Sequence, residues 1–167
     1  DEHSIEMPLP YIVKCVEPGT SVVPILVGAL TPSSEAEYGA LLAPYLADDA
    51  NFFVVSSDFC HWGRRFNYTF HDPCHGAIHR SIEALDRQGM DEIESGDPRG
   101  FTRYLTRFEN TICGRHPIGV MMNMVEVGRK RGGAALSTRF VKYAQSSQCM
   151  STADSSVSYA SAVVYET

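Results

Sequence analysis

With 167 residues and 44% apolar side chains, the chain is long enough to bury a core and too apolar to be intrinsically disordered. Its formal net charge of −6 disfavours a nucleic-acid partner, because phosphate binding calls for a basic stripe. No apolar run approaches the roughly 20 residues of a membrane helix, so no membrane span is expected.

Residues 3 to 16 carry Ile5, Leu9, Ile12, Val13 and Val16 at helical spacing, with Pro8 and Pro10 kinking or delaying the helix. "SVVPILVG", 21 to 28, is a short apolar run ending in Gly and reads as a buried strand. Ser34 then caps a predicted helix to about Ala47, with Tyr38, Leu41, Leu42, Tyr45 and Leu46 on its apolar face. "NFFVVSSDFCHWG", 51 to 63, reads as a strand, apolar on both faces and hence central, that ends in reactive side chains.

A helix is predicted over about 75–87. Asp97 and Pro98 are a cap and first-turn pair for a helix reaching Phe108. A further helix spans about 117–130, with Ile118, Met121, Met122 and Val125 inward and Gly132-Gly133 ending it. "LSTRFVKYAQ" and "SSVSYASAVVY" alternate with period two and read as closing strands that can pair antiparallel. Strand–helix–strand order at the start favours an α/β fold with a mixed, largely parallel central sheet flanked by helices. No linker divides 1–167 into two domains.

Ligands of open α/β sheets bind beyond the carboxyl ends of the strands, and "SSDFCHWG" lies at such an end. His61 can serve as general base or metal ligand, and Asp58 can orient it. Gly63 permits a turn or the close approach of a ligand. A loop histidine satisfying a local backbone group is the competing explanation. In "TICGRHPIG", Cys113, Arg115 and His116 sit just before a helix N-terminus, which favours a thiolate and attracts anions. A small buried Cys packed as an apolar residue competes with that reading. His3 and Glu6 are one helical turn apart and can face one pocket, against a capping or solvated role. His71, Cys74, His75 and His79 have metal-like spacing in a polar segment and read as a surface helix start.

The five Cys form an odd number without a CxxC pair, which argues for a reducing, cytoplasmic setting. Arginine outnumbers lysine 11 to 3, a bias suited to carboxylate and phosphate recognition, although solvated surface arginine is the commoner explanation. The chain starts with Asp rather than Met, which reads as a processed start or an internal break.

"EHSIEMPLPY", "PILVGAL", "FFVVSSDFCHWG", "TICGRHPIG", "YAQSSQC" and "DSSVSYA" resemble the second half of Memo proteins, mediators of receptor-tyrosine-kinase-driven cell motility. The resemblance covers essentially the whole chain and implies a fold like that of class III extradiol dioxygenases, with 1–167 as the C-terminal half of the domain. It also implies a pocket in which His61 and Cys113 hold copper or iron, with His3 nearby and further ligands from an absent N-terminal half. A phosphotyrosine-peptide partner, with Arg115, His116 and Glu6 as binding candidates, follows from the same resemblance, as does a cytoplasmic and also nuclear location. Three functions are thus carried forward: phosphopeptide-binding signalling scaffold, metal-dependent redox protein, and ring-cleaving dioxygenase. The third is disfavoured, because Fe(II) oxygenases use two His and a carboxylate where this pocket has Cys. Cys113 is expected to be the reactive thiol and Cys60 an inert packing residue.

Overall fold

Proline and capping residues set where the helices begin, and small residues set how closely they pack. The computed structural model describes residues 3–167, so the expectation attached to Asp1 lies outside the described residues. Pro8 and Pro10 divide the first helical stretch into α1 (His3–Glu6) and α2 (Leu9–Cys15). Thr31, not Ser34, caps α3 (Pro32–Leu46): its hydroxyl accepts from the Ser34 amide at 3.2 Å. α4 (Ile78–Glu94) begins later and runs farther than its sequence suggests. α5 (Pro98–Phe108) starts as expected, with the Asp97 carboxylate accepting from the Arg99 amide at 2.9 Å. α6 (Arg115–Lys130) ends where Gly132 adopts φ +78°, a backbone region that favours glycine.

The sheet has three strands in the order β1-β3-β2. β2 (Leu136–Gln145) and β3 (Ser156–Glu166) form an antiparallel ladder from Leu136 opposite Glu166 to Gln145 opposite Ser158, interrupted by a bulge between Phe140 and Lys142. The short β1 (His61–Trp62) pairs antiparallel with the other edge of β3. The class is therefore mixed α/β, but the expected parallel core is absent among the described residues. Residues 21–28 and 51–55 form no strand. A strand needs a lateral partner for its N–H and C=O groups, and none of the described residues pairs with either segment. Their side chains are accordingly open: Val23 is 80% and Phe52 86% exposed.

The α3 face is a second correction. Tyr38, Leu41 and Tyr45, expected inward, are exposed, whereas Gly39 and Ala43 are buried. The reason is close helix packing. A Cβ at Gly39 would collide with Asn123 of α6, so only the small-residue face of α3 can approach that helix.

The core lies between the sheet and α4–α6. Phe59, Cys60, Trp62, Ile82, Phe101, Ile112, Met122 and Cys149 are almost wholly buried there. Asp86 of α4 stands among them, also fully buried. Its carboxylate accepts from the Cys60 amide (3.3 Å), Asn110 Nδ2 (3.0 Å) and the Tyr143 hydroxyl (2.8 Å). Burial nevertheless holds this carboxyl above the ordinary carboxylate range, the surrounding donors offsetting part of the effect. This cluster joins α4, β2 and the segment leading into β1, so it fixes the backbone immediately before His61.

Candidate metal centre

The strand expected at 51–55 does not form, yet the segment after it is held firmly. Phe59 donates its amide to Ser158 O at 2.8 Å, and Ser158 donates to Cys60 O at 2.9 Å. β3 thereby anchors Phe59 to Trp62. Trp62 is buried and donates its indole N–H to Phe70 O at 2.7 Å. Gly63 then turns with φ +125°, and a Cβ there would meet Ser155 Cβ at 2.7 Å and Asp154 O at 2.9 Å. The close approach that sequence reasoning allowed at Gly63 is made by the 154–155 backbone.

The loop from 110 to 114 is tied to this segment by short side chains. Thr111 Oγ1 accepts from the His61 amide at 2.7 Å and donates to the His61 carbonyl at 3.0 Å. Ser57 Oγ accepts from the Gly114 amide at 2.9 Å and donates to Asp58 O at 2.7 Å. The Asp58 amide stands 3.2 Å from Cys113 Sγ and donates to it. Sequence reasoning missed Ser57 and Thr111; both belong to the quoted motifs, but a hydroxyl that clamps a backbone 50 positions away leaves no local signature.

These ties bring Asp58, His61 and Cys113 together, with one donor atom of each lying within 4.8 Å of the others. His61 Nε2 is 3.5 Å from Asp58 Oδ2, is itself buried, and makes no hydrogen bond among the described residues. A buried ring nitrogen without a partner is costly unless something else satisfies it. The imidazole lies beside Phe66, with ring centroids 5.2 Å apart. Carboxylate, imidazole and thiolate form a donor set that suits borderline and soft transition ions better than Mg²⁺ or Ca²⁺. Asp58 offers a carboxylate oxygen to the same cluster as His61 and Cys113, beyond the orienting position its spacing suggested.

The remaining candidates lie apart from this trio. His3 and Glu6 are exposed on α1, and neither is among the donors within 4.8 Å. Arg115 is exposed and lines a separate small cavity with Leu105, Glu109 and Asn110. His116 is half-buried and its Nδ1 pairs with Glu35 Oε1 at 2.7 Å, tying α6 to α3. Cys60 is fully buried, and burial pushes its thiol far above the ordinary range, so it is a packing residue. Cys113 is exposed.

Comparison with known proteins places this geometry in context. The sequence pattern of the family described as Memo-like protein matches residues 1–163. The chain is 56% identical over 163 residues to Protein MEMO1 of Danio rerio and 55% identical over the same length to that of Homo sapiens, covering 96% of this chain and 54% of each relative. It is 45% identical over 167 residues to the protein memo-1 homolog of Caenorhabditis elegans, covering 98% of this chain and 47% of that protein. The chain thus spans about half the length of these relatives. Among the described residues no helix is long and apolar enough to cross a membrane. With its family pattern matched almost end to end and more than half its residues shared with vertebrate relatives, this chain belongs to the Memo family.

Proposed function

We propose that this chain carries the metal-binding part of a Memo-family redox protein, with Asp58, His61 and Cys113 holding a copper or iron ion. The observation that carries the reading is His61 Nε2, which is buried, makes no hydrogen bond among the described residues, and lies 3.5 Å from the Asp58 carboxylate with the Cys113 sulfur close by. When bound, such an ion supplies one-electron redox chemistry. The chain's own residues do the rest. Thr111 fixes the His61 backbone, Ser57 joins the two loops, and the Asp58 amide orients the Cys113 sulfur by donating to it.

A signalling role in cell motility through phosphotyrosine peptides is the other reading the family resemblance implies. The arrangement of the cations gives it less support. Arg115 lines a different cavity, and His116 is engaged by Glu35. Cytoplasmic or nuclear residence belongs with either reading. Three protein donors leave room for further ligands, and we assign these to the part of the relatives' length that this chain does not match. The same part would pair with the open segments 21–28 and 51–55, whose exposed apolar side chains mark an interaction surface.

The test is copper(I) and iron(II) titration of the chain, carried out in a Cys74→Ser background. Cys113→Ser should weaken binding about 10-fold or more, since loss of a direct ligand costs at least as much as loss of a supporting one. Cys60→Ser should leave affinity unchanged. Native affinity in Cys113→Ser would overturn the assignment.

A further inference from the structure

The segment "HDPCHG", 71 to 76, reads in sequence as the start of a helix. The structure separates it from α4 as a turn of its own, a single 3-10 turn over Pro73–His75 that precedes Ile78. The turn is capped by Asp72, whose Oδ1 accepts from the Cys74 amide at 2.9 Å, and further backbone and hydroxyl bonds hold it in place. The Asp72 amide donates to Ser81 Oγ at 2.9 Å, and Ser81 is buried. The His75 and Gly76 amides donate to the carbonyls of Asp72 and Pro73 at 3.2 and 3.0 Å. Gly76 closes the turn with φ +75°. On the α4 side, the His79 amide donates to Cys149 O at 3.0 Å.

Within this frame one carboxylate oxygen of Asp72, the sulfur of Cys74 and one ring nitrogen of His75 lie within 4.8 Å of one another. They come from a four-residue stretch and are exposed or half-buried. An ion at 2.0–2.3 Å from each of three such donors requires donor separations of no more than about 4.6 Å. Cys74 and His75 are exposed and can rotate toward that condition, while Asp72 is half-buried and held by its bond to the Cys74 amide. His71 borders the turn: its Nε2 donates to Gly76 O at 3.0 Å, which in the neutral ring leaves the lone pair on Nδ1. A backbone carbonyl receiving the other ring N–H is the usual support of a metal-binding imidazole.

We propose that Asp72, Cys74 and His75 form a second metal site, open to solvent, for a borderline divalent ion of the Zn²⁺ class. It is separate from the Asp58–His61–Cys113 centre and does not depend on it. One carboxylate, one thiolate and one imidazole match the donor preferences of Zn²⁺, and the open face leaves the fourth position to water or His71. Binding releases the thiol proton of Cys74, so affinity rises with pH.

The experiment uses the full chain carrying Cys113→Ser, which removes the sulfur of the first centre. Co²⁺ is titrated as the spectroscopic probe and Zn²⁺ is then added in competition. The expected result is one equivalent of Co²⁺ with a sulfur-to-metal absorption band that Zn²⁺ displaces. Adding Cys74→Ser should abolish the band, and adding His75→Ala should weaken binding about 10-fold or more. Zn²⁺ should also protect Cys74 from alkylation, read by peptide mass. An absent band in Cys113→Ser, a band that survives Cys74→Ser, or alkylation of Cys74 that Zn²⁺ does not slow would overturn the proposal. All three substitutions are at exposed positions, so loss of the fold does not confuse the outcome.

Discussion

Residues 3–55 are richer in apolar side chains than residues 56–167, yet they are the less covered of the two regions. In the second region Trp62, Phe101, Ile112 and Met122 are at most 2% exposed. In the first, Val23, Leu26, Leu41 and Phe52 are all more than 60% exposed, and α3 connects that region to α6 through its small-residue face and the Glu35–His116 pair. Burial is a property of a pair of surfaces. The two apolar segments of the first region have no pairing strand among the described residues, so their hydrophobicity contributes little to the stability of this chain.

The strongest way to sharpen this contrast is Asp86→Ala. It leaves the Cys60 amide, Asn110 Nδ2 and the Tyr143 hydroxyl facing a buried cavity. A loss of about 3 kcal/mol or more is expected, seen as a lowered midpoint in urea. The same variant should loosen His61, because Asp86 holds the backbone just before it. A midpoint equal to the native one would show that the closed region is not organised around this carboxylate.

Gly63→Ala should come next. The backbone at φ +125° and the nearby 154–155 backbone both oppose a Cβ. About 1–3 kcal/mol of strain is expected, and, on the proposed metal reading, weaker metal binding at His61 two residues away. Calorimetry and metal titration of one sample would separate the two effects.

The pH dependence gives a third test. Burial raises the Asp86 pKa in the folded chain, so between the ordinary carboxylate range and that raised value the folded state holds more protons than the unfolded state. Asp86 therefore contributes stability at low pH that is lost as pH rises through this window. Asp154 has the opposite sign. The Met150 and Ser151 amides, at 2.9 and 2.8 Å, lower its pKa, so its contribution is present above the ordinary carboxylate range and is lost as pH falls through its folded value. Urea unfolding across pH should show a declining limb that Asp86→Asn removes and Asp154→Asn leaves in place. A limb that survives Asp86→Asn would assign it to another group.

The smallest expected effect is Phe52→Ser. At 86% exposure its substitution should change stability by no more than about 0.5 kcal/mol, while reducing the binding of an apolar dye. A loss comparable to that of Asp86→Ala would mean that Phe52 is covered in solution, and the contrast between the two regions would collapse.

The local parts of this structure were legible in the residues. Asp97-Pro98 marked the start of α5, Gly132 the end of α6, and the period-two alternation of the last 30 or so residues marked β2 and β3, because caps, positive φ and side-chain alternation depend on near neighbours. The same holds for the candidate residues His61 and Cys113, whose motifs were visible as clusters of chemistry. Tertiary structure decided the rest. Whether 21–28 and 51–55 become strands depends on a partner at a distance, and which face of α3 turns inward depends on how closely Gly39 lets it approach Asn123. The gathering of Asp58, His61 and Cys113 depends on two hydroxyls, Ser57 and Thr111, that bond across 50 or more positions of sequence. The single sequence names the donors, but the distances among them are set by contacts between segments far apart in the chain.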